Sequence, residues 1–146
     1  MNTGNQDAAI HMDGDNDSSP PSRRLRQWWS VVTTVLATDI FVQAVFAGAM
    51  LSGVDWARAA HSANAIVLIA STLAAGLTAA ITLWRVPQGF KLALTLVALA
   101  VVVFVQTGIG KASTGGANLM WVHVPLGVAL LGFAGHAVAS ARRLGR

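Results

Sequence analysis

Cysteine and glutamate are missing from this chain, and charged residues are few. The absence of cysteine among its 146 residues excludes disulfides, thiolate metal sites and thiol catalysis. All six acidic residues are aspartates. Charged residues make up 11% of the chain and hydrophobic residues 54%, a balance typical of membrane proteins. No nucleophile with a neighbouring base, phosphate-binding loop or metal-hydrolase motif occurs, so the chain is not expected to be an enzyme on its own.

The first 22 residues differ in composition from everything that follows. They are rich in Asp, Asn, Ser and Gly, and they end in the sequence SPPS at positions 19–22. Such a segment cannot bury enough apolar surface to offset the entropy lost on ordering, which predicts a disordered cytoplasmic tail. Residues 23–146 are then expected to form one transmembrane domain.

Four apolar segments follow the tail, and each reaches the roughly 20 residues that a helix needs to cross the hydrocarbon core. They cover residues 29–52, 56–84, 90–109 and 119–139. Within lipid a helix satisfies its backbone hydrogen bonds internally, so all four segments are predicted to be helices. Because the connections are short, successive helices should be antiparallel neighbours. The predicted fold is therefore all-α, an up-down four-helix transmembrane bundle.

Cations are distributed unevenly between the two predicted membrane surfaces. Eight lie near the termini and the second connection, and two lie near the other connections. The first group is Arg23, Arg24, Arg26, Arg85, Lys91, Arg142, Arg143 and Arg146, and the second is Arg58 and Lys111. Cations are enriched on the cytoplasmic side of membrane proteins, so both termini are predicted to be cytoplasmic. The tryptophans should then mark the inner interface (Trp28, Trp29, Trp84) and the outer one (Trp56, Trp121).

A short sequence occurs twice at matching positions of the chain. The sequence FVQ at positions 41–43 recurs at positions 104–106, and a histidine follows each copy. His61 lies 18 positions after the first glutamine, and His123 lies 17 positions after the second. This pattern predicts a bundle built from two tandem helix-pair repeats, with one histidine from each.

The two histidines are expected at equal depth in the outer half of the membrane. Asp55 and Asn118 are plausible N-caps of the second and fourth helices, and His61 and His123 follow them closely. A histidine at this depth is costly when it faces lipid, so both should point into the bundle. The second and fourth helices lie diagonally in an up-down bundle, which places the imidazoles on either side of its centre. A pair of this kind can ligate haem iron on both faces.

Other interpretations of the histidine pair remain open. Zinc is a poor match, because two imidazoles do not complete a tetrahedral site and Asp55 is the one carboxylate nearby. The main alternative is a cofactor-free membrane subunit or transporter component whose histidines are structural or move protons. The leading hypothesis is b-type haem, held for electron transfer or haem handling.

Several other residues could serve a haem site. Arg58 and Lys111 lie close to where haem propionates would emerge, although they could equally be solvated loop charges. Gln43 and Gln106 could contact the inner edge of the haem or hydrogen-bond across helices. Small residues such as Gly110 leave room for a porphyrin, and they also permit close helix packing in membranes.

One aspartate is predicted to lie well inside the first helix. Asp39 is one turn from Gln43, and an intramembrane carboxylate is a candidate functional group, for example as a proton relay. His136, in the inner half of the fourth helix, is its most plausible partner by depth. A structural Asp–His hydrogen bond that ties the first and fourth helices together is favoured over the relay.

The pattern VQxxxAG at positions 42–48, followed by a short loop and His61, resembles an uncharacterised family of small bacterial four-helix membrane proteins. Over roughly residues 30–140, the doubled Gln-to-His arrangement completed by Gln106 and His123 resembles one half of a haem A synthase. The resemblance implies b-type haem between histidines of the second and fourth helices. A haem A synthase has two such halves and a catalytic glutamate, so the resemblance supports haem binding and not haem A synthesis.

The same features set the expected location and partners. The chain should be a multi-pass protein of the bacterial inner (cytoplasmic) membrane, in contact with the lipid bilayer. A redox partner or a homo-oligomer is compatible with electron transfer. Nucleic acid is not an expected partner, because the cations flank the apolar segments instead of forming a patch.

Overall fold

The computed structural model describes residues 23–145, and within that range it is helical with no strand. Its helices are α1 (Arg23–Leu51), α2 (Ala57–Thr82), α3 (Pro87–Thr114) and α4 (Met120–Arg142). All four are long and apolar enough to cross a membrane, which confirms the predicted all-α transmembrane bundle and identifies a multi-pass membrane protein. The predicted tail, residues 1–22, and Arg146 lie outside the described residues.

Two helices extend well beyond the apolar segments from which they were predicted. α1 begins at Arg23 instead of residue 29, and α3 continues to Thr114 instead of ending at residue 109. A helix need not stop where the hydrocarbon stops, because its backbone hydrogen bonds also form at the membrane surface. Lys111 therefore lies in the last turn of α3 and not in a loop. In that turn its positive charge interacts favourably with the helix dipole.

The two helices that carry the paired histidines begin without side-chain caps. The N-cap residue of α2 is Trp56 and that of α4 is Leu119, and neither makes a capping hydrogen bond through its side chain. The capping roles predicted for Asp55 and Asn118 are therefore wrong. A backbone turn binds one of the first helical amides instead, as in the 3.0 Å bond from the Val122 amide to the Leu119 carbonyl.

Each helix contacts two of the other three. α1 and α3 both contact α2 and α4, whereas no Cα atoms come within 8 Å between α1 and α3 or between α2 and α4 in the described chain. Hydrogen bonds join the last part of α1 to the start of α2, and the last part of α3 to the start of α4. The result is an antiparallel bundle with α2 and α4 on one diagonal.

Large apolar side chains are buried in only one half of this bundle. We call that half the basic half, because most of the cations lie at its end of the bundle. It begins at the α2–α3 connection and the described termini, and its boundary is the level of four buried residues. These residues are Ile40, Leu68, Val103 and Leu130. Beyond them, Ala57 is the one buried apolar residue of the described chain. This second part holds His61 and His123 and is called the histidine half.

Small residues allow the helices of the basic half to approach closely. A Cβ atom at Gly76 in α2 would lie 3.3 Å from both the carbonyl oxygen of Leu96 and the Cα of Val97 in α3. Such close van der Waals packing drives helix association in lipid, where tails compete with side chains for apolar contact. The alanines buried in the basic half of α2 and α4 are Ala75, Ala79, Ala134, Ala137 and Ala141.

The outward surface of the bundle is apolar along all four helices. Ile81, Phe104 and Val128, for example, have exposed fractions of 80%, 67% and 70%. An apolar surface of this extent is unfavourable in water and is stable against lipid tails. Less than a third of the most apolar stretch of each helix is buried inside the bundle, so most of its apolar residues face outward, where lipid would contact them.

Four of the five tryptophans have exposed side chains on the outward surface of the bundle, as expected of residues at a membrane interface. They are Trp28, Trp56, Trp84 and Trp121. Trp29 is different, because its side chain is 1% exposed and packs in the basic half. It lies on the same helix face as the buried Thr33, Leu36 and Ile40, so the prediction that Trp29 marks the interface is wrong.

Candidate cofactor site

Each paired histidine is bound at its main chain by the glutamine of the preceding helix. The Gln43 side-chain amide donates to the His61 carbonyl at 3.0 Å, and the Gln106 amide donates to the His123 carbonyl at 2.7 Å. A carbonyl only accepts, so the amide nitrogen is the donor in both pairs. The sequence repeat thus corresponds to a repeated contact, and both glutamines hydrogen-bond across helices, one of the two roles predicted for them.

The His61 ring is oriented by a second contact with α1. Its Nδ1 lies 3.3 Å from the Gln43 backbone carbonyl oxygen, and its Nε2 lies 3.4 Å from the Gln43 side-chain nitrogen. A bond from Nδ1–H to a carbonyl places the proton on Nδ1, and the Nε2 lone pair then accepts from the Gln43 side-chain amide. A metal bound through Nε2 would take the place of this amide contact.

The His123 ring packs against Gly110 of α3 and also interacts with the Gln106 backbone, more loosely than a standard hydrogen bond. Its Nδ1 is buried and has no hydrogen-bond partner in the described chain. A Cβ atom at Gly110 in α3 would lie 2.8 Å from Cε1 of this ring and 3.4 Å from each ring nitrogen. The missing side chain at Gly110 therefore provides the space that the imidazole occupies.

Buried polar atoms without partners gather in the histidine half. Three such atoms, Gln43 Oε1, Gln106 Oε1 and His123 Nδ1, have no hydrogen-bond partner within residues 23–145. In the basic half, Trp29 Nε1 is the one buried side-chain atom of this kind among the described residues. The rings of His61 and His123, on diagonal helices, are close enough to interact electrostatically. Buried polar atoms are rarely left unpaired, so this half is the part of the bundle suited to a polar or metal-containing ligand.

The packing around the pair also fits a flat apolar macrocycle. No described apolar residue larger than alanine is buried in the histidine half, so its side chains retain surface that a ligand can cover. The two imidazoles come from diagonal helices whose Cα atoms stay more than 8 Å apart in the described chain, which suits a group placed between them. The donor set and the packing are therefore compatible with haem.

The two predicted propionate partners lie at the same end of the bundle. Arg58 is in the first turn of α2 and Lys111 is in the last turn of α3, and both side chains are exposed. Their position agrees with either predicted role, as partners of anionic groups or as solvated charges.

Asp39 and His136 are not brought together. Asp39 is half-buried and lines a groove between α1 and α2, and its backbone carbonyl accepts a 3.5 Å hydrogen bond from Asn64. His136 is exposed on α4, with its Nε2 3.4 Å from Ser140 Oγ one turn away. Within the described chain no hydrogen bond joins Asp39 to His136, whose suggested pairing rested on depth alone.

The contact between Asp39 and Asn64 has no polar counterpart at the matching positions of the second helix pair. In the register set by the FVQ repeat, Val102 of α3 corresponds to Asp39. In the register set by His61 and His123, Leu126 of α4 corresponds to Asn64. The hydrogen bond from Asn64 was not anticipated from the sequence. The comparison of the two repeats, polar in one and apolar in the other, is the signal that could have identified it.

Comparison with protein-family models, with curated proteins and with solved structures finds no match to this chain. What the molecule does is therefore inferred from the two glutamine–histidine pairs and their surroundings. Its composition and its four long apolar helices are those of a multi-pass helical membrane protein, and they indicate no narrower class.

Proposed function

We propose that this protein holds b-type haem between His61 and His123, for electron transfer or haem handling. The observation that supports this proposal is the glutamine–histidine contact formed twice, on helix pairs that place the histidines on diagonal helices. His61 and His123 would hold the haem iron through their imidazoles. Bound haem supplies one-electron chemistry, and the protein supplies ligands, burial and charge.

Each of the remaining site residues has a defined role in this proposal. Gln43 and Gln106 hold the helical turns that carry the ligands, through the main-chain carbonyls described above. Arg58 and Lys111 bind the propionates by charge at the end of the bundle. Cations there would offset the negative charge of the propionates and so favour the reduced form of the iron, which means that these residues would also tune the potential.

The proposal includes an orientation in the membrane. We place the basic half and both termini on the cytoplasmic side of a bacterial inner membrane, because eight of the ten cations lie at that end in the sequence. The histidine half then lies in the outer leaflet, and the chain consists of two tandem helix-pair repeats. A redox partner or a second copy would contact the haem from this outer side.

An absorbance spectrum of the purified full-length protein tests the proposal. Expressed in a host that makes haem, the protein should show an intense Soret band and a low-spin spectrum. His61→Ala and His123→Ala should each abolish the low-spin spectrum, because each removes one axial ligand. His136→Ala is the matched control, since this exposed histidine of α4 lies outside the pairs, and its spectrum should be preserved.

Two outcomes would contradict the haem proposal. One is that His136→Ala abolishes the low-spin spectrum while His61→Ala or His123→Ala preserves it. The other is the absence of a Soret band both in protein from a haem-replete host and after addition of haem. The second outcome favours a cofactor-free membrane subunit or transporter component, in which the histidines are structural or carry protons and the Asp39 groove is the candidate proton site.

A further inference from the structure

One carboxylate lies deep within the membrane-spanning part of the bundle. Each residue adds about 1.5 Å to a helix, which places Asp39 about 24 Å from the first residue of α1 and about 18 Å from the last. The lysines and arginines nearest to it in the sequence are Arg26 and Arg58, which lie toward opposite ends of the bundle. Asp39 therefore lies inside the hydrocarbon core, away from the cations of the described chain.

The polar side chains around Asp39 are bound to the backbone and not to its carboxylate. The hydroxyls of Thr38 and Ser71 donate to carbonyls of their own helices, at 3.0 and 3.3 Å. The Asn64 amide donates to the backbone carbonyl of Asp39. Within residues 23–145, no hydrogen bond or ion pair reaches the Asp39 carboxylate. A carboxylate without a partner is costly against lipid, so it requires a proton or a cation from outside the chain.

The groove that Asp39 lines is mostly apolar and opens onto the outward surface of the bundle. Val35 and Val42 of α1 and Val67 of α2 form its walls, and the side chains of Val35 and Val67 are exposed. Its volume of about 470 Å³ lies in the range of small-molecule sites, roughly 300–1,000 Å³. A ligand of this groove would therefore arrive from the lipid, and an apolar surface on it would cover the valines.

The available ligand groups distinguish between kinds of cation. Magnesium and calcium ions take six or more oxygen ligands. The described chain has no group of three His, Cys, Asp or Glu side chains that could hold a metal ion. An organic cation requires only one opposite charge, and its apolar substituents gain free energy by contact with apolar walls. The groove, with one carboxylate and three valines, matches this second kind.

We propose that the Asp39 groove binds a lipophilic organic cation, a quaternary phosphonium or ammonium ion with apolar substituents. The cation enters from the lipid, pairs with the carboxylate in place of a proton and packs on the valines of α1 and α2. Neither paired histidine takes part, so binding does not depend on haem. Val102 and Leu126 occupy the matching positions of the second helix pair, so one site is expected per chain.

Tetraphenylphosphonium tests the proposal with the full-length protein in an uncharged detergent. Equilibrium dialysis should show saturable binding of one ion per chain, and neutral triphenylphosphine oxide should not compete. Asp39→Asn should weaken binding at least about tenfold, because it removes the charge that pairs with the cation. Asp55→Asn is the matched control, since this exposed carboxylate lies in the α1–α2 connection, and its binding should equal that of wild type.

A second pair of variants tests where the cation binds. Val67→Trp fills the groove from α2 without changing Asp39 and should weaken binding. Val128→Trp on α4 is its control, because Val128 is also exposed and lies outside the groove. If Asp39→Asn does not fold, this comparison decides alone. Wild-type affinity in Asp39→Asn or in folded Val67→Trp, competition by the neutral compound, or no saturable binding to wild type would overturn the inference.

Discussion

Gly76→Ala should weaken the contact between α2 and α3. The added Cβ would lie 3.3 Å from the Leu96 carbonyl oxygen and from the Val97 Cα, two backbone atoms that cannot rotate away. Relief requires the helices to move apart by a few tenths of an ångström. Overpacking of this kind costs about 1–3 kcal/mol. Alanine regains about 1 kcal/mol through its higher helix propensity, so the net loss in the free energy of unfolding is at most about 2 kcal/mol.

A control on another helix isolates the packing cost. Gly132→Ala in α4 receives the same propensity gain, but its Cβ would meet no atom within 4 Å. The difference in the free energy of unfolding between the two variants is then the overpacking cost, about 1–3 kcal/mol. Unfolding in mixed detergent, followed by the fluorescence of the tryptophans, measures it. Equal stabilities within about 0.5 kcal/mol would show that α2 and α3 do not meet at Gly76.

Three further predictions concern topology and chemistry. Reporter fusions after Arg146 and within residues 85–89 should report the cytoplasm, and one within residues 115–118 the outside; a C-terminal fusion active only outside the cell would refute the orientation. Gln106→Leu removes the 2.7 Å bond to the His123 carbonyl and should weaken haem binding about 10- to 100-fold in a titration, whereas exposed Gln27→Leu should not. Mass spectrometry of bound and released porphyrins should show haem with unmodified substituents, and hydroxylated or formylated haem would restore the synthase function.

The helices and their arrangement could be predicted because the bilayer permits few alternatives. A span must be a helix of roughly 20 apolar residues, and short connections then determine which helices are neighbours. Helix ends were predicted less well, since hydropathy changes at the membrane surface while the backbone continues past it. Trp29 was misplaced for a related reason: depth along α1 follows from the sequence, but the buried face depends on packing with the other helices.

The site was predictable to the level of residue pairs and not of ring positions. The repeated FVQ sequence singled out Gln43, His61, Gln106 and His123, but it did not predict that each glutamine binds the main chain of its own histidine. The position of the His123 ring could not be predicted, because it depends on close packing against Gly110, which spacing along the chain does not reveal. Asp39 and His136 illustrate the opposite case, since they were paired by depth while the structure gives them different neighbours around the helix axes.

The uneven packing of the bundle has a consequence for how a large cofactor could enter it. Local opening of a protein costs least where few apolar contacts are broken, and the histidine half buries almost none of its apolar side chains. The close-packed basic half can therefore keep the four helices in register while their other ends separate. Loading and release of a porphyrin would then proceed by fraying of the helix ends in the outer leaflet, and amide hydrogen exchange would be fastest there and slowest around Leu96 and Leu99.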